Sequence, residues 1–496
     1  MKKPTKESNS NCSSLISKSN HFLRRESSSS SSSCSLSSSK LSIYLVAVFV
    51  VIFTLFQIQS LQIPPSWSLM HEKIVTNYSF LSNSSCHITT QEDEIVKSMT
   101  SKLRESVTFL PLKDLRYANA AMKGHTWFMS SMQDTHEQGG VQYQHFPSEA
   151  SGGRVLCLKG RDRRDGARNL YALAWPETLP RNSTLAKGIT FISYNHYDYH
   201  NIWHGLSAMM PFVAWHIRSQ CAGPTRWILY HWGELRTSMA PWVRTMLEAT
   251  FGRGPLDIED FDRDGSDGGG GGGDRAVTCF EEAVVMRHNE GGMSKEKRME
   301  VYDLMRCRSR VYCGVKPRGG GSSIGMTMLM RDGARSFKNA SAVIRVFEKE
   351  CRKVEGCRLM VAYPHNLTFC EQVKLMSLTD IMVSPHGAQL TNMFLMDRNS
   401  SVMEFFPKGW LELAGVGQYV YHWLAAWSGM RHEGAWRDPT GDHCPFPEND
   451  RRCMSVFKNG RIGHDETYFS EWARRVLGEV KRRTSVRSVS GLCGCN

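Results

Sequence analysis

The chain has 496 residues, a net charge of +13 and 41% hydrophobic residues. This size allows two or three domains with a buried core. The basic excess suits a phosphate-bearing or acidic ligand. Because the sequence has no interleaved basic and aromatic module, it argues against a nucleic-acid partner.

Two N-terminal segments predict a membrane anchor. Residues 1–40 are rich in serine, carry +5 of the net charge and are predicted to be an unfolded cytosolic tail. Residues 41–58 contain no charged residue, and a helix of that length spans about 27 Å. The long preceding segment and the lack of an A-x-A motif argue against a cleaved signal peptide. The basic flank predicts a single-pass type II topology with the remainder luminal.

Cysteines and sequons agree with a luminal location. Thirteen of the 15 cysteines follow the predicted anchor, so at least one of them is unpaired within the chain. No pair of cysteines has the C-x-x-C spacing that is typical of zinc ligands, so a zinc site is not predicted. The nearest case is Cys493 and Cys495, which lie at a C-terminus predicted to be mobile. The local disulfides that spacing allows are Cys307–Cys313, Cys351–Cys357 and Cys444–Cys453. The sequons are at Asn77, Asn83, Asn182, Asn339, Asn366 and Asn399.

The next segments predict a stem and a first α/β domain. Residues 59–150 are polar and turn-rich, which is typical of a stem. Residues 151–315 contain three apolar runs, each of which predicts a strand. Between two of these runs, Asn201–Ser219 has apolar residues at helical spacing and is predicted to be a helix. The glycine-rich run at 262–275 predicts a surface loop.

Residues 316–496 predict a second α/β domain that ends with a closing helix at 464–477. Between residues 325 and 406 the predicted order is β-α-β-α-β-α-β, which indicates a parallel, doubly wound sheet. Its last unit, Asp380–Pro407, consists of a strand, the turn PHGAQ, an apolar segment and a second strand.

The PHGAQ turn is a candidate nucleotide site, because such a turn lies at the carboxyl edge of a parallel sheet. Gly387 and Ala388 permit close backbone approach, and free N–H groups at a helix start suit a diphosphate. His386 would add a donor, and Glu404 would accept from ribose hydroxyls. Spacing alone fits equally well with a tight turn that contains a core histidine.

The segment HGAQLTNMFL followed by EFFP resembles the HGA-x-LTN signature of glycosyltransferase family 61, and Thr391 and Asn392 stand within it. The resemblance covers about residues 185–430. It implies a GT-B-like fold, in which two Rossmann-type domains face a cleft. It also implies inverting transfer of xylose, arabinose or N-acetylglucosamine from a UDP-sugar. The tail GAWRDPTGDHCPFPENDRRC is similar to plant members, which points to a Golgi enzyme.

Two further motifs appear in the order of that family. Arg331, Arg335 and Asn339 form R-x3-R-x3-N after a predicted strand, and a guanidinium there could clamp a diphosphate. A charged loop is the alternative. Asn339 also begins a sequon, and a glycan and a buried contact there exclude each other.

Asn201 and His204 form N-x-x-H at the start of the first-domain helix, where the histidine could act as a general base. The alternative is a helix cap with a surface histidine. The family commonly has an acidic residue four positions after the histidine, but this sequence has Ala208. Asp198 and Glu234 are therefore candidate substitutes, the first as a base and the second in the acceptor cleft.

The D-x-D motifs at residues 260–264 adjoin the glycine run, so no metal or other cofactor is predicted. The predicted partners are a UDP-sugar, a xylan-like polysaccharide or glycoprotein glycan, the membrane, and other subunits of a Golgi oligomer. The alternative to an enzyme is a non-catalytic luminal protein that binds a glycan or a nucleotide sugar.

Overall fold

The structure is a computed structural model. None of the helices in its described residues is long and apolar enough to cross a membrane. The predicted tail, the anchor and the glycine-rich loop lie outside the described residues. The D-x-D motifs at residues 260–264 lie outside them as well. The structure describes residues 89–112, 116–117, 125–126, 139–141, 143–164, 166–195, 197–231, 233–252, 257–259, 277–286, 293–316, 323–410, 415–441, 443–447, 450–483 and 493–495.

Alternating strands and helices form an α/β fold, and residues 92–496 make one compact unit. The strands are β1 (Leu110–Pro111), β2 (Arg116–Tyr117), β3 (His125–Thr126), β4 (Tyr143–Phe146), β5 (Val155–Lys159), β6 (Leu170–Ala174), β7 (Ser183–Asn195), β8 (Arg226–His231), β9 (Glu234–Arg236), β10 (Val277–Met286), β11 (Ile324–Leu329), β12 (Cys357–Ala362), β13 (Ile381–Pro385), β14 (Ser401–Phe406) and β15 (Arg431–Arg437). The α-helices are α1 (Thr89–Glu105), α2 (Ile202–Arg218), α3 (Pro241–Phe251), α4 (Lys295–Tyr312), α5 (Ala340–Arg352), α6 (Phe369–Ser377), α7 (Val420–Ser428), α8 (Cys453–Asn459) and α9 (Glu466–Arg483).

The first sheet is mixed, with the order β1-β6-β5-β10-β7-β8-β9 and β4 paired with β10. Strands β7, β8 and β10 run parallel, whereas the edges are antiparallel. Strands β1 and β4 come from the segment predicted as a stem. Helix α2 matches its predicted bounds, because Asn201 caps its start and Ser219 ends it.

The second sheet is parallel throughout, with the order β12-β11-β13-β14-β15. This confirms the predicted parallel sheet. Gly325 is required in β11, since a Cβ there would lie 1.8 Å from the carbonyl oxygen of Leu378. The segment after the PHGAQ turn forms a 3₁₀ helix, Ala388–Leu395, rather than the start of an α-helix.

The two sheets share one hydrophobic core. Phe191 of β7, Tyr302 of α4, Phe394 of the 3₁₀ helix and Leu424 of α7 belong to the same buried cluster. Helix α9 packs on α5, and its Phe469 and other apolar residues lie in a second cluster on the other face of the second sheet. Aromatic and aliphatic burial of this kind supplies most of the free energy of folding.

Six disulfides join the twelve described cysteines. The predicted Cys351–Cys357 and Cys444–Cys453 bridges are confirmed. The predicted Cys307–Cys313 bridge is wrong, because six residues of helix rise separate these residues by about 9 Å, which is too far for a disulfide. The observed pairs are Cys157–Cys279, Cys221–Cys495, Cys307–Cys493 and Cys313–Cys370. The C-terminus predicted to be mobile is therefore tied to two elements, the loop after α2 and helix α4.

Candidate functional site

The PHGAQ turn lies where the strand order of the second sheet reverses. Strand β11 stands between β12 and β13, so the chain leaves β11 on one side and returns on the other. Arg331 follows β11 and His386 follows β13, and these two strands are parallel neighbours. Ligands of open α/β sheets bind at the carboxyl ends of strands at such a point.

Arg331 and Arg335 form a pair of partly buried cations at this edge. Nη1 of Arg331 donates to the carbonyl oxygen of His386 at 3.3 Å, and the guanidinium of Arg335 lies 5.0 Å from the ring centre of Trp410. Burial lowers the pKa of Arg331. Burial and the neighbouring charge of Arg331 lower the pKa of Arg335 to about 10.

Neither arginine of this pair forms an ion pair with a carboxylate in the described part of the chain. The Nε atoms of both are buried without a hydrogen-bond partner among the described residues. Arg335 also has a φ of 60°, a left-handed conformation that costs about 1–2 kcal/mol. The two guanidiniums therefore carry buried donors that no described protein group satisfies, which is the kind of arrangement that an anion can complete.

His386 belongs to a buried network. Its Nδ1 lies 2.6 Å from Oε1 of Glu404, and Nε2 of His432 lies 2.8 Å from Oε2 of the same carboxylate. Burial works to raise the pKa of Glu404, but the hydrogen bonds from the two histidines prevail and the pKa is lowered. Because an ionised carboxylate only accepts, both ring nitrogens must donate. This fixes the orientation of the His386 ring.

Aromatic rings surround His386 on several sides. Phe406 stacks on it with ring centres 4.5 Å apart, and Trp410 and Tyr421 each lie at 5.2 Å. Tyr421 is itself buried, which raises its pKa, so its hydroxyl stays protonated at neutral pH. The ring of His386 is therefore rigidly held at the edge of the sheet.

The predicted ribose contact of Glu404 does not fit this geometry. Glu404 is 1% exposed, and its two oxygens already accept from histidines. Thr391 and Asn392 are also buried, and the Asn392 side chain donates to the carbonyl oxygen of Gln389. These three residues support the turn instead of lining an open pocket.

Gly387 is buried and Ala388 is partly buried at the candidate site. A Cβ on Gly387 would lie 2.3 Å from Nη1 of Arg331, so glycine is needed for this close approach. Gly387 precedes the 3₁₀ helix, and no side chain caps that helix start. The first N–H groups of a helix have no partner within that helix and can bind an anion.

Asn339 does not join the arginines. Its side chain caps helix α5 by accepting from the backbone N–H of Ala342 at 3.0 Å, and the residue is exposed. The sequon and the buried contact therefore do not compete. The other described sequons, at Asn182, Asn366 and Asn399, are exposed too, whereas Asn77 and Asn83 lie outside the described residues.

His204 lies on the first-sheet side, at the start of α2. Asn201 is the helix cap that one reading of the motif predicted, and Tyr197 stacks on His204 with ring centres 4.2 Å apart. Burial lowers the pKa of His204, the charge of Asp198 opposes this effect, and Lys458 adds to it. Lys458 belongs to α8 in the second half of the chain, so that half contributes to the electrostatic environment of His204.

Asp198 sits beside His204 and is held by the backbone. Its Oδ1 accepts from the N–H groups of His200 and Asn201. Burial works to raise the pKa of Asp198, but these hydrogen bonds and His204 prevail and lower it. A cleft of about 300 Å³ adjoins Asp198 and is also lined by His231 and Arg236.

Glu234, the other candidate substitute, is not a free base, because it is in an ion pair with Arg236 at 2.9 Å. Ala208, where the family commonly has an acidic residue, is buried within α2. One aromatic contact connects the two halves of the site, because Trp203, next to His204, lies 5.9 Å from Tyr421.

Sequence reasoning missed His432, Trp410 and Tyr421. His432 lies in β15, Tyr421 lies in α7 and Trp410 follows β14. No sequence motif linked these elements to the PHGAQ turn. Among the described residues, metal-ligand spacing occurs at His216, Cys221 and Cys495. Since the two cysteines form a disulfide, this cluster is not a metal site.

Residues 230–403 match the family model described as Glycosyltransferase 61. The matched range contains Arg331, Arg335 and the whole HGAQLTN segment, which confirms the resemblance found in the sequence. No curated protein matches the chain significantly.

Proposed function

Because residues 230–403 belong to glycosyltransferase family 61, we propose that the protein transfers xylose, arabinose or N-acetylglucosamine from a UDP-sugar, with inversion, to a xylan-like polysaccharide or a glycoprotein glycan. The observation that carries the proposal is the Arg331–Arg335 pair. Two partly buried guanidiniums without a carboxylate partner adjoin His386 and Gly387 at the sheet edge. A diphosphate supplies the charge that this arrangement lacks.

The proposed reaction is a single displacement at the anomeric carbon. A base removes the proton of the acceptor hydroxyl, whose oxygen attacks C1 while the bond from C1 to the UDP oxygen breaks. Arg331 and Arg335 stabilise the negative charge that develops on the leaving diphosphate. Metal-independent transfer is part of the proposal.

His204 is the proposed base. Its lowered pKa keeps it neutral at pH 7, and a neutral imidazole can accept a proton. Asp198 remains ionised and stabilises the imidazolium that forms, because its charge favours the protonated ring. Activity should therefore persist at pH 6.5 and fall only at lower pH, when His204 is protonated before the reaction.

We also propose a Golgi membrane protein of single-pass type II topology, with residues 41–58 as the anchor and a GT-B arrangement of the two sheets. The charge pattern of the N-terminus and the distribution of cysteines support the topology. The contact between Trp203 and Tyr421 supports a cleft at which both halves meet.

A non-catalytic protein of the same fold is the second candidate. Ala208 favours it, because this position lacks the acidic residue that the family commonly has and is buried. An inactive protein would bind a glycan or nucleotide sugar without turning it over. The intact arginine pair favours the enzyme.

The test is UDP release from a panel of UDP-sugars by the full chain, with xylan oligosaccharides as acceptors and EDTA present. The proposal predicts donor-dependent release that is lost in Arg331→Ala and in His386→Ala. UDP binding without release from any donor would favour the inactive protein. Release that requires a divalent metal would refute the metal-independent reaction.

A further inference from the structure

One buried carboxylate is shared by two histidines across three neighbouring strands. His386 directly follows β13, Glu404 lies in β14 and His432 lies in β15, and these strands are adjacent in the second sheet. The three side chains are 7%, 1% and 7% exposed. One nitrogen of each histidine bonds one oxygen of the carboxylate, at 2.6 and 2.8 Å. We call these residues the His–Glu–His network.

The partners of Glu404 differ from those of a second buried carboxylate nearby in the chain. Asp438, which is 2% exposed, accepts from the backbone N–H groups of Thr440 and Gly463. A backbone N–H group cannot change its charge. Among the described residues, Glu404 instead accepts only from two imidazoles. Because an imidazole can take up a further proton and a carboxylate favours a positive charge beside it, the network can hold a proton that Asp438 and its partners cannot.

The second ring nitrogen of His386 is available for this proton. Nε2 has no hydrogen-bond partner in the described part of the chain, and it is not among the side-chain atoms that are buried without one. It therefore keeps some contact with solvent although the ring is mostly buried. Glu404 holds Nδ1 and Phe406 stacks on the ring, so the direction of Nε2 is fixed.

His386 also adjoins the arginine pair. Nη1 of Arg331 donates to the carbonyl oxygen of His386. Trp410 connects His386 with the other arginine, because its ring centre lies 5.2 Å from that of His386 and 5.0 Å from the guanidinium of Arg335. A proton on Nε2 would therefore place a third cation beside the two guanidiniums.

The charges around the network oppose this proton until an anion binds. The titratable and charged groups that neighbour it on the other elements are Arg331 and Arg335 after β11, and Tyr421 and His422 of α7. Tyr421 is uncharged at neutral pH, and burial and the neighbouring His432 lower the pKa of His422. The two arginines thus oppose protonation, and Glu404 favours it. A diphosphate on the arginine pair would offset their charge and favour the protonated ring.

We propose that His386 takes up a proton from solvent on Nε2 when a diphosphate binds the arginine pair, and that the ring then donates to the diphosphate as a third cation. Glu404 and His432 are positioning residues, because they act through the ring of His386. The inference rests on the proposed function for the identity of the anion. Proton uptake accompanies binding alone, so it needs neither sugar nor acceptor.

The test is calorimetric titration of the full chain with UDP in EDTA at pH 7.5, in HEPES and in Tris. These buffers release protons with different heats, so the change in binding heat between them gives the number of protons taken up. UDP has lost its last phosphate proton at this pH, since such a group titrates at about pH 6. We expect uptake of about half a proton per UDP.

Four variants separate the roles within the network. His386→Gln should lose the uptake and bind UDP about tenfold more weakly, because one charge-assisted donor is gone. Glu404→Gln should lose most of the uptake, because the charge that favours the proton is gone. His432→Gln should keep the uptake, because its amide can still donate to Glu404. His145→Gln, which removes a histidine paired with Glu282 at 2.9 Å on the first sheet, is the matched control.

Urea denaturation establishes that each variant is folded, and His386→Gln leaves Glu404 in place if Glu404→Gln is not. UDP binding with the same heat in both buffers would overturn the inference and leave the proposed function standing. Uptake that persists in His386→Gln would also overturn it, because the proton would then belong to another group. Uptake that is unchanged in a folded Glu404→Gln would refute the positioning role. Absence of UDP binding by the wild type would refute the proposed donor site and the inference together.

Discussion

The fold contains two pairs of arginines that are at least partly buried, and within each pair the two residues are four positions apart. Arg306 and Arg310 are on α4, and Arg331 and Arg335 follow β11. Burial lowers the pKa of both Arg306 and Arg335 to about 10. Burial therefore opposes the charge of at least one arginine in each pair, but the two pairs differ in what surrounds them.

The α4 pair is completed by the protein. Arg306 donates to the carbonyl oxygens of Phe394 and Ser428 and to the carboxylate of Asp303. Arg310 donates to Asp397 at 2.6 Å and to the carbonyl oxygen of Leu395. This pair joins α4 to the 3₁₀ helix and α7. The pair after β11 contacts no such carboxylate among the described residues, and we proposed above that an anion from outside completes it.

The largest difference is expected in stability. Arg306→Ala leaves the buried carbonyl oxygens of Phe394 and Ser428 without their donor, so the free energy of unfolding should fall by about 2–6 kcal/mol, or about 1–3 kcal/mol for each. Arg335→Ala removes a cation that repels Arg331 and should cost far less. Urea denaturation at pH 7 measures both. Equal losses would contradict the distinction between the pairs.

The second difference is expected in ligand binding. Removing one charge-assisted donor costs about 1.5–3 kcal/mol, so Arg331→Ala and Arg335→Ala should each weaken UDP binding about 10- to 100-fold. Calorimetry with UDP and with uridine measures this, and Arg452→Ala, an exposed arginine paired with Asp450, is the control. If uridine binding weakened as much as UDP binding, the pair would not contact the phosphates.

Glu404 is a third buried charged group, and its contribution to stability should depend on pH. Its folded pKa lies below the ordinary value of 4.5, so its stabilising effect is present above pH 4.5 and is lost as pH falls through the folded pKa. Glu404→Gln should cost about 1–3 kcal/mol at pH 7. The gap between variant and wild type should close below pH 4.5 in denaturation experiments. A gap that already closes between pH 7 and pH 4.5 would contradict the ionised network.

Gly387→Ala is expected to have the smallest effect. The added Cβ would meet the ends of two flexible side chains, Arg331 and Gln389, so the fold should persist while the guanidinium moves. UDP affinity should fall about tenfold, or about 1.4 kcal/mol. Gly478→Ala on α9, where a Cβ meets no atom within 4 Å, is the control. Unchanged affinity in Gly387→Ala would argue against a role for the present Arg331 position.

Local pattern predicted much of the second sheet, because each strand and helix there has its own apolar period. It also brought Arg331 and His386 together, since parallel neighbours place the residues after their strands at one edge. It could not show that Glu404 faces two histidines, because His432 lies on a strand whose position depends on the packing of α7. The disulfides of Cys307 and Cys313 were missed for the same reason: their partners are distant in sequence.

The first half of the site was harder to predict. The N-x-x-H spacing was compatible with a cap or a base, and the structure shows Asn201 as a cap while His204 stacks on Tyr197. Glu234 looked free in the sequence, but Arg236, two residues away, pairs with it. Such pairing depends on side-chain direction within β9.

The most direct test of the central claim is calorimetric titration of the full chain with UDP in EDTA, beside the Arg331→Ala/Arg335→Ala double variant. We predict saturable binding by the wild type without metal, and loss of binding in a double variant that remains folded and loses far less stability in urea than Arg306→Ala. Absence of binding by the wild type, or equal binding by the double variant, would contradict the claim that this pair is an anion site.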